Sequence, residues 1–244
     1  MKDVIEKLRD DAEYYGGVGK NYLSNSDISA LLNNPKEFGV TRADNSNFAK
    51  GRLFHQIILE PEKAKDTISL DVSSRNTKKY KDFVSDNELD FVLLDKEVAE
   101  IKSWTDTMKS NMDFFELIYS DDNEFEVPSI KEIKGEMWKG KADIVGKDVL
   151  IDLKTTGDIK KFKRSANLYN YDSQAYIYQE LFGKPLIFLV IDKSTHMLGI
   201  FRPSEDFIKR GEAKVERAIE VYRSFFGDEP QESIADYYIE EYID

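Results

Sequence analysis

The run Lys141-Ala142-Asp143-Ile144-Val145-Gly146-Lys147-Asp148-Val149-Leu150-Ile151-Asp152-Leu153-Lys154-Thr155-Thr156 decides how the rest of this chain is read. Two apolar, β-branched stretches flank Gly146-Lys147, the pattern of two strands joined by a turn. Asp143 falls near the end of the first strand and Asp152 near the end of the second. A tight turn puts those ends at different heights unless the sheet twists or bulges, so spacing alone leaves their register open. Asp152 and Lys154 share one face of their strand, and Ile151 and Leu153 turn to the other, into a core. An acid and a lysine on one face of an apolar strand are costly unless paired or bound to metal. Two carboxylates and a backbone carbonyl make an all-oxygen set suited to Mg²⁺ or Mn²⁺. A lysine beside them can orient or deprotonate water and offset charge developing on a phosphate. The plainer reading is an Asp–Lys pair on a wet strand face, because short motifs match freely.

Upstream, the strand pattern reaches back to Val127, giving a meander of about 127–134, 137–145 and 149–154, broken at Gly135 and at Gly146-Lys147. Downstream come a helix at about 171–183, strands at 186–191 and 197–201, and a long amphipathic helix over 204–226. Before the meander the pattern predicts a charged helix over 2–14 that ends at Gly16-Gly17. A short helix capped by Ser24 or Ser26 follows and stops before Pro35. Further helices are expected over 48–60, closed by Pro61, and over 76–87 and 95–112. This order predicts an α/β fold, a mixed sheet flanked by helices with a helical N-terminal part. The expected organisation is an N-terminal helix and turn (1–21), one domain (22–226) and an acidic tail (227–244). The tail's Tyr237, Tyr238 and Tyr242 suit a solvated or subunit-contacting segment.

A chain of 244 residues, 41% hydrophobic and 34% charged, can bury a sizeable core. No apolar run approaches the roughly 18 residues of a membrane span, and Met1-Lys2-Asp3-Val4-Ile5-Glu6 is not of signal-peptide type. The absence of cysteine excludes disulfide scaffolds, Cys-based zinc sites, iron–sulfur clusters and thiol nucleophiles. A cytoplasmic protein with no membrane partner is expected. The net charge of −12 argues against a passive nucleic-acid binder. That average hides an asymmetry: Lys131 to Arg164 holds ten basic and six acidic residues, whereas Asp228 to Asp244 holds seven acids and no base.

Other stretches add to the central run. Gln174 and Tyr178 stand one helical turn apart on one face, able to hold a phosphate or base, although a half-buried Tyr178 would do as well. His55, among apolar residues, reads by default as a buried histidine with one hydrogen bond. Lys160, Lys161, Lys163 and Arg164 follow the Asp-Leu-Lys strand and suit backbone-phosphate contacts, or a charged loop. Gly16-Gly17-Val18-Gly19-Lys20-Asn21 lacks the spacing and the Ser/Thr of a phosphate loop and reads as a turn.

Together these stretches have a family likeness. Gly51-x-x-x-His55-x-x-x-Leu59-Glu60-Pro61, Lys141-Ala142-Asp143, Asp152-Leu153-Lys154-Thr155-Thr156, Asp158-x-x-x-Phe162 and Tyr171-x-x-Gln174-x-x-x-Tyr178 occur in this order. The set resembles the PD-(D/E)XK nuclease superfamily, and within it the nuclease domain of the exodeoxyribonuclease VIII (RecE) type. Tyr22-Leu23-Ser24-Asn25-Ser26-Asp27-Ile28-Ser29 with Asn34-Pro35 is similar to that family's opening. The resemblance implies a restriction-endonuclease-like core, metal-binding acids at Asp143 and Asp152, a Leu153 carbonyl ligand and a catalytic Lys154. It places His55 near the metals and makes Gln174 and Tyr178 a DNA-contacting element. It also implies a further acid on the strand before Asp143, expected at Glu132 with Glu136 as its rival. The activity implied is Mg²⁺-dependent 5′→3′ exonucleolysis of linear double-stranded DNA, with Mn²⁺ substituting. The products are 5′-mononucleotides and a 3′ overhang for phage-type recombination with a single-strand annealing partner. The family's ring-shaped homo-oligomers, trimers or tetramers, would line a channel with the basic segment and leave an acidic exterior. The alternatives are a structure-specific or restriction-like endonuclease of the same superfamily, and a non-catalytic DNA-binding or interaction protein on a nuclease fold.

Overall fold

A computed structural model describes residues 2–40 and 45–240; Tyr242 lies outside the described residues. In chain order the helices are α1 (Lys2–Lys7), α2 (Asp11–Tyr15), α3 (Asn25–Asn33), α4 (Ser46–Leu59), α5 (Pro61–Lys65), α6 (Lys78–Asp86), α7 (Asp95–Ser110), α8 (Met112–Ile118), α9 (Phe162–Leu168), α10 (Tyr171–Phe182) and α11 (Glu205–Phe226). The strands are β1 (Ser69–Leu70), β2 (Leu93–Leu94), β3 (Glu124–Ile133), β4 (Glu136–Val145), β5 (Leu150–Thr156), β6 (Leu186–Asp192) and β7 (Leu198–Phe201). β3 to β7 form one five-stranded sheet in sequence order, antiparallel except for the parallel pair β5–β6. α9 and α10 make the crossover that a parallel pair requires. The expected mixed α/β sheet flanked by helices is what the chain forms.

Two helices expected from the sequence are each broken. The 2–14 helix is split at Leu8–Asp10, because the Asp10 side chain accepts from the Glu13 amide and starts α2 afresh. The 95–112 helix stops at Ser110, because Asn111 caps α8 through the Phe114 amide. The β3–β4 hairpin turns on two residues, Lys134 (φ 53) and Gly135 (φ 82), both left-handed as a type I′ turn needs.

Alternation along the strands sorts the sheet into two faces. Ile151, Leu153, Ile187, Leu189 and Ile191 pack against α4, α7 and α8 through Phe54, Ile58, Ile101, Met108 and Phe114. Leu150, Phe188 and Val190 face the opposite way, onto α9 and α10 through Phe162, Ala166 and Ala175. At the hairpin end, Ile133 and Trp138 share a third cluster with α3, α10 and α11. α10 and α11 approach so closely that a Cβ on Gly211 would stand 2.0 Å from the Asp172 carbonyl oxygen. α10 is thereby clamped against the sheet, and it carries two of the residues discussed next.

Candidate metal centre and active site

β4 and β5 are bonded only at their turn-side ends, by Ile144–Ile151 and Val145–Leu150. The next pair would be Asp143 and Asp152, and there the strands part. Backbone groups left by such an opening need other partners, and several are supplied by side chains and by a distant segment. The Leu153 amide donates to Asp143 Oδ2 at 2.7 Å. Farther along β4, Leu23 takes the place of a strand neighbour: its amide donates to the Met137 carbonyl at 2.9 Å and its carbonyl accepts from Lys139 at 2.7 Å. α10 reaches into the opening, where Tyr178 Oη donates to the Lys141 carbonyl at 3.0 Å and Gln174 Nε2 to Asp152 Oδ1 at 2.6 Å.

The wedge gathers charge in a place where charge is costly. Asp143 and Asp152 are both buried. Lys154 Nζ lies 2.6 Å from Asp152 Oδ2 and 4.7 Å from the centre of the Tyr171 ring. Burial pushes this lysine down, but the carboxylates of Asp152 and Asp143 outweigh it and hold Lys154 above its ordinary value. It is a fixed cation rather than a base.

From the other side α4 brings in His55. Its Nε2 stands 3.0 Å from the Leu153 carbonyl, an oxygen that can only accept, so Nε2 carries the hydrogen. That leaves Nδ1 facing Asp143 Oδ1 at 3.5 Å. A ring nitrogen and a carboxylate oxygen facing each other in this way can share a proton or a cation.

A further acid completes the group: ligand atoms of His55, Glu126 and Asp143 all lie within 4.8 Å of one another. Glu126 stands across the ladder from Asp143, between the pairs Phe125–Ile144 and Val127–Ala142. Its φ of 49 is left-handed, a strain of about 1 kcal/mol or more in a non-glycine residue, of the kind stored at functional sites. Burial, then the Asp143 and Glu60 carboxylates, push Glu126 up to about 8. Burial and the Asp152 carboxylate push Asp143 up to about 6 against the pull of His55.

These residues fit a divalent cation. Buried Asp152 Oδ2 faces Lys154 Nζ at 2.6 Å; Glu126 and Asp143 are held above the ordinary carboxylate range; the donors are mostly carboxylate and carbonyl oxygens, which suit Mg²⁺ or Mn²⁺.

Of the residues singled out in the sequence, the structure brings Asp143, Asp152, Leu153, Lys154, His55 and Gln174 together. Gln174 and Tyr178 turn inward, onto Asp152 and the Lys141 carbonyl, rather than out toward a nucleic acid. Glu132 and Glu136 are elsewhere. Glu132 is exposed opposite Met137 and Glu136 is ion-paired to Arg223 at 2.6 Å. Both sit at the hairpin end, six or seven residues along the ladder from Asp143, about 20 Å away. Lys160, Lys161, Lys163 and Arg164 are exposed on the turn after β5 and on α9, with Lys161 held by Asp158 at 3.0 Å. Glu126 is the residue that the sequence reading missed, although a signal for it existed. A two-residue turn at Lys134-Gly135 pairs Ile133 with Glu136, and counting seven residues outward from that pair sets Glu126 opposite Asp143.

A parting pair of strands with buried acids and a lysine at the split, backed by a glutamine-bearing helix, defines a nuclease-like class of fold. The chain belongs to the family described as a PDDEXK-like domain of unknown function (DUF3799), which it matches over residues 26–232. Among solved structures it is similar to one described as a "Putative exonuclease" from Eubacterium rectale, with a TM-score of 0.61 at 16% identity, covering 96% of both chains. A second, SSO0001, reaches a TM-score of 0.33 at 16% identity over 70% of this chain and 86% of that one, too low to carry an argument. No curated protein matches the sequence. No helix among the described residues is long and apolar enough to cross a membrane.

Proposed function

We propose that this protein is a Mg²⁺-dependent exonuclease that degrades linear double-stranded DNA from its 5′ ends, releasing 5′-mononucleotides and leaving a 3′ single strand for recombination. The observation that carries the reading is the wedge itself. Opening β4 from β5 puts Asp143, Asp152 and Lys154 beside His55 and Glu126, with the Asp152 carboxylate buried and paired to Lys154. The exonuclease description of the E. rectale protein agrees with it. Polarity, products and setting rest on the sequence resemblance.

Asp143, Asp152, Glu126, His55 and the Leu153 carbonyl are the groups that would hold the metal. Mg²⁺ bound there supplies Lewis acidity, lowering the pKa of water and neutralising charge on the scissile phosphate. The chain's own residues do the rest. Lys154 stays protonated and offsets negative charge as the phosphate is attacked. Gln174 fixes the Asp152 carboxylate through Oδ1 and leaves Oδ2 turned toward Lys154. Tyr178 and Leu23 hold β4 open. The exposed Lys160, Lys161, Lys163 and Arg164 would take phosphates along the bound strand. A ring-shaped homo-oligomer enclosing the DNA, trimeric or tetrameric, would reconcile this basic surface with the net charge of −12. Mn²⁺ would substitute for Mg²⁺, a single-strand annealing protein would be the partner, and the cell cytoplasm the place of action.

The test is digestion of 5′-labelled linear duplex DNA with Mg²⁺ or chelator, beside a covalently closed circle and Asp152→Ala. Early release of labelled mononucleotide from linear DNA alone, lost in the variant and in chelator, is the expected result. Cutting of the circle would instead identify an endonuclease.

A further inference from the structure

The family match begins at residue 26, yet the chain before it is folded onto the sheet beside the metal centre. Leu8 and Tyr14 form a small core with Ile130 on β3, joined by Val4, Ile5, Val18 and Met137. Tyr14 is anchored from two sides. Lys139 Nζ donates to its carbonyl and lies 4.4 Å from its ring centre, and Lys141 Nζ lies 4.8 Å from that centre. Lys141 also holds Asp11 at 2.6 Å, and Lys63 on α5 reaches the same carboxylate at 3.8 Å. Lys139, Lys141 and Asp143 alternate along β4, so two buried lysines bind the N-terminal segment to the strand that carries a metal-centre acid.

The anchoring has one conspicuous product. Tyr14 is 7% exposed, and the next residue, Tyr15, is 71% exposed, its ring edge-on to that of Tyr14 at 4.9 Å. Lys141, which holds both Asp11 and the Tyr14 ring, stands two residues before Asp143 on the same side of β4, and this sets the strap and Tyr15 beside the wedge. Arg52 is one turn before His55 on α4, and Phe48, 54% exposed, is one turn before Arg52 on the same stripe. Tyr15 packs only edge-on against Tyr14 and leaves most of its surface to water beside the acids. It matches a flat partner that arrives with a phosphate.

We propose that the strap from Asp11 to Tyr15 belongs to the substrate site, and that Tyr15 is the platform on which an unpaired base of the bound strand stacks while the adjoining phosphate faces Asp143 and Asp152. This rests on the nuclease reading and names what that site grips: the unpaired end of a strand, since interior bases of a duplex have both faces covered. Aromatic platforms take any base, because every base has a π-face, so the site is indifferent to sequence.

The test uses the full chain with Ca²⁺ in place of Mg²⁺, a duplex oligonucleotide with 2-aminopurine at one 5′ terminus, and a dye at the far end for anisotropy. The wild type, Tyr15→Phe and Tyr15→Trp should quench the 2-aminopurine. Tyr15→Leu should leave it bright and weaken Kd about tenfold, and an abasic terminus should erase the difference between Leu and Tyr. Tyr15→Phe and Tyr15→Trp keep the test valid should Tyr15→Leu fold poorly, because quenching must track the ring and not the hydroxyl. Equal quenching and Kd in all four proteins would overturn the proposal and leave the nuclease reading standing. No anisotropy change with any of them would overturn both.

Discussion

The two ends of the β3–β4 hairpin carry the same kinds of residue and do opposite things with them. At the turn end Lys134 and Glu136 are met by α11 while Glu132 is exposed: Lys134 Nζ holds Glu212 and Glu216 at 2.8 and 2.7 Å, and Arg223 holds Glu136. Those pairs are wet, the carboxylates of Glu212 and Glu216 raise Lys134 further, and the remaining acid, Glu132, is left to water. At the other end Glu126 and Asp143 are withdrawn from water, crowded against a second carboxylate, and pushed up instead. The teaching is that residue type does not make a metal centre. Crowding several acids out of water around one lysine, as the parting of β4 from β5 does here, is what suits a site to a cation.

Substitutions at the two ends should therefore diverge. Asp152→Ala should bring DNA hydrolysis to background while far-UV circular dichroism stays that of the wild type. Lys154→Ala should lower kcat on the order of 10²- to 10³-fold, the loss expected when a fixed charge aimed at a developing anion is removed. A Lys154→Arg variant, which keeps the charge, should retain more activity than Lys154→Ala, and an Arg variant as inactive as Lys154→Ala would break that reading. Next come the two acids on β3: Glu126→Gln should cost about 10- to 100-fold in activity or Mg²⁺ affinity, against less than twofold for Glu132→Gln. Equal effects would dissolve the contrast between the ends. Gln174→Leu, which frees the Asp152 carboxylate to turn, should cost about tenfold and be largely restored by the shorter amide of Gln174→Asn with added metal. Smallest of all, Arg223→Ala at the wet end should change stability by about 1 kcal/mol or less, read by urea denaturation.

Proton linkage sharpens the same contrast without mutating the centre. Asp143 and Glu126 have folded values of about 6 and about 8, above their ordinary values of 3.8 and 4.5, so between these limits the folded chain binds more protons than the unfolded one. In chelator the stability these two groups contribute should then be greatest below the ordinary carboxylate range and fall as pH rises from about 4 through about 8. Thermal melts at pH 5, 6.5 and 8 test it. Mg²⁺ should remove most of the fall, and Glu126→Gln should flatten its upper half. Stability that rises over this interval in chelator would show that the two carboxylates ionise freely.

Much of this was written in local pattern. The β4-turn-β5 run, the apolar β6 strand and the long helix α11 follow from periodicity and turn residues alone, within a residue or two of where they lie. The sharing of one strand face by Asp152 and Lys154 is likewise a property of period two. What the pattern could not convey is where a ladder stops. A strand pair reads the same whether its bonds continue past Ile144 or not, because the choice depends on Leu23, more than a hundred residues upstream, and on α10, both competing for the backbone of β4. Glu132 was expected and Glu126 missed for that reason: both are glutamates on one strand, on the same side of it, and only the tertiary packing leaves one solvated and draws the other partly out of water. Residue order and period settled the sheet and two of its acids. Burial and the missing ladder bonds, which exist only once distant segments meet, decided which acids gather around one lysine.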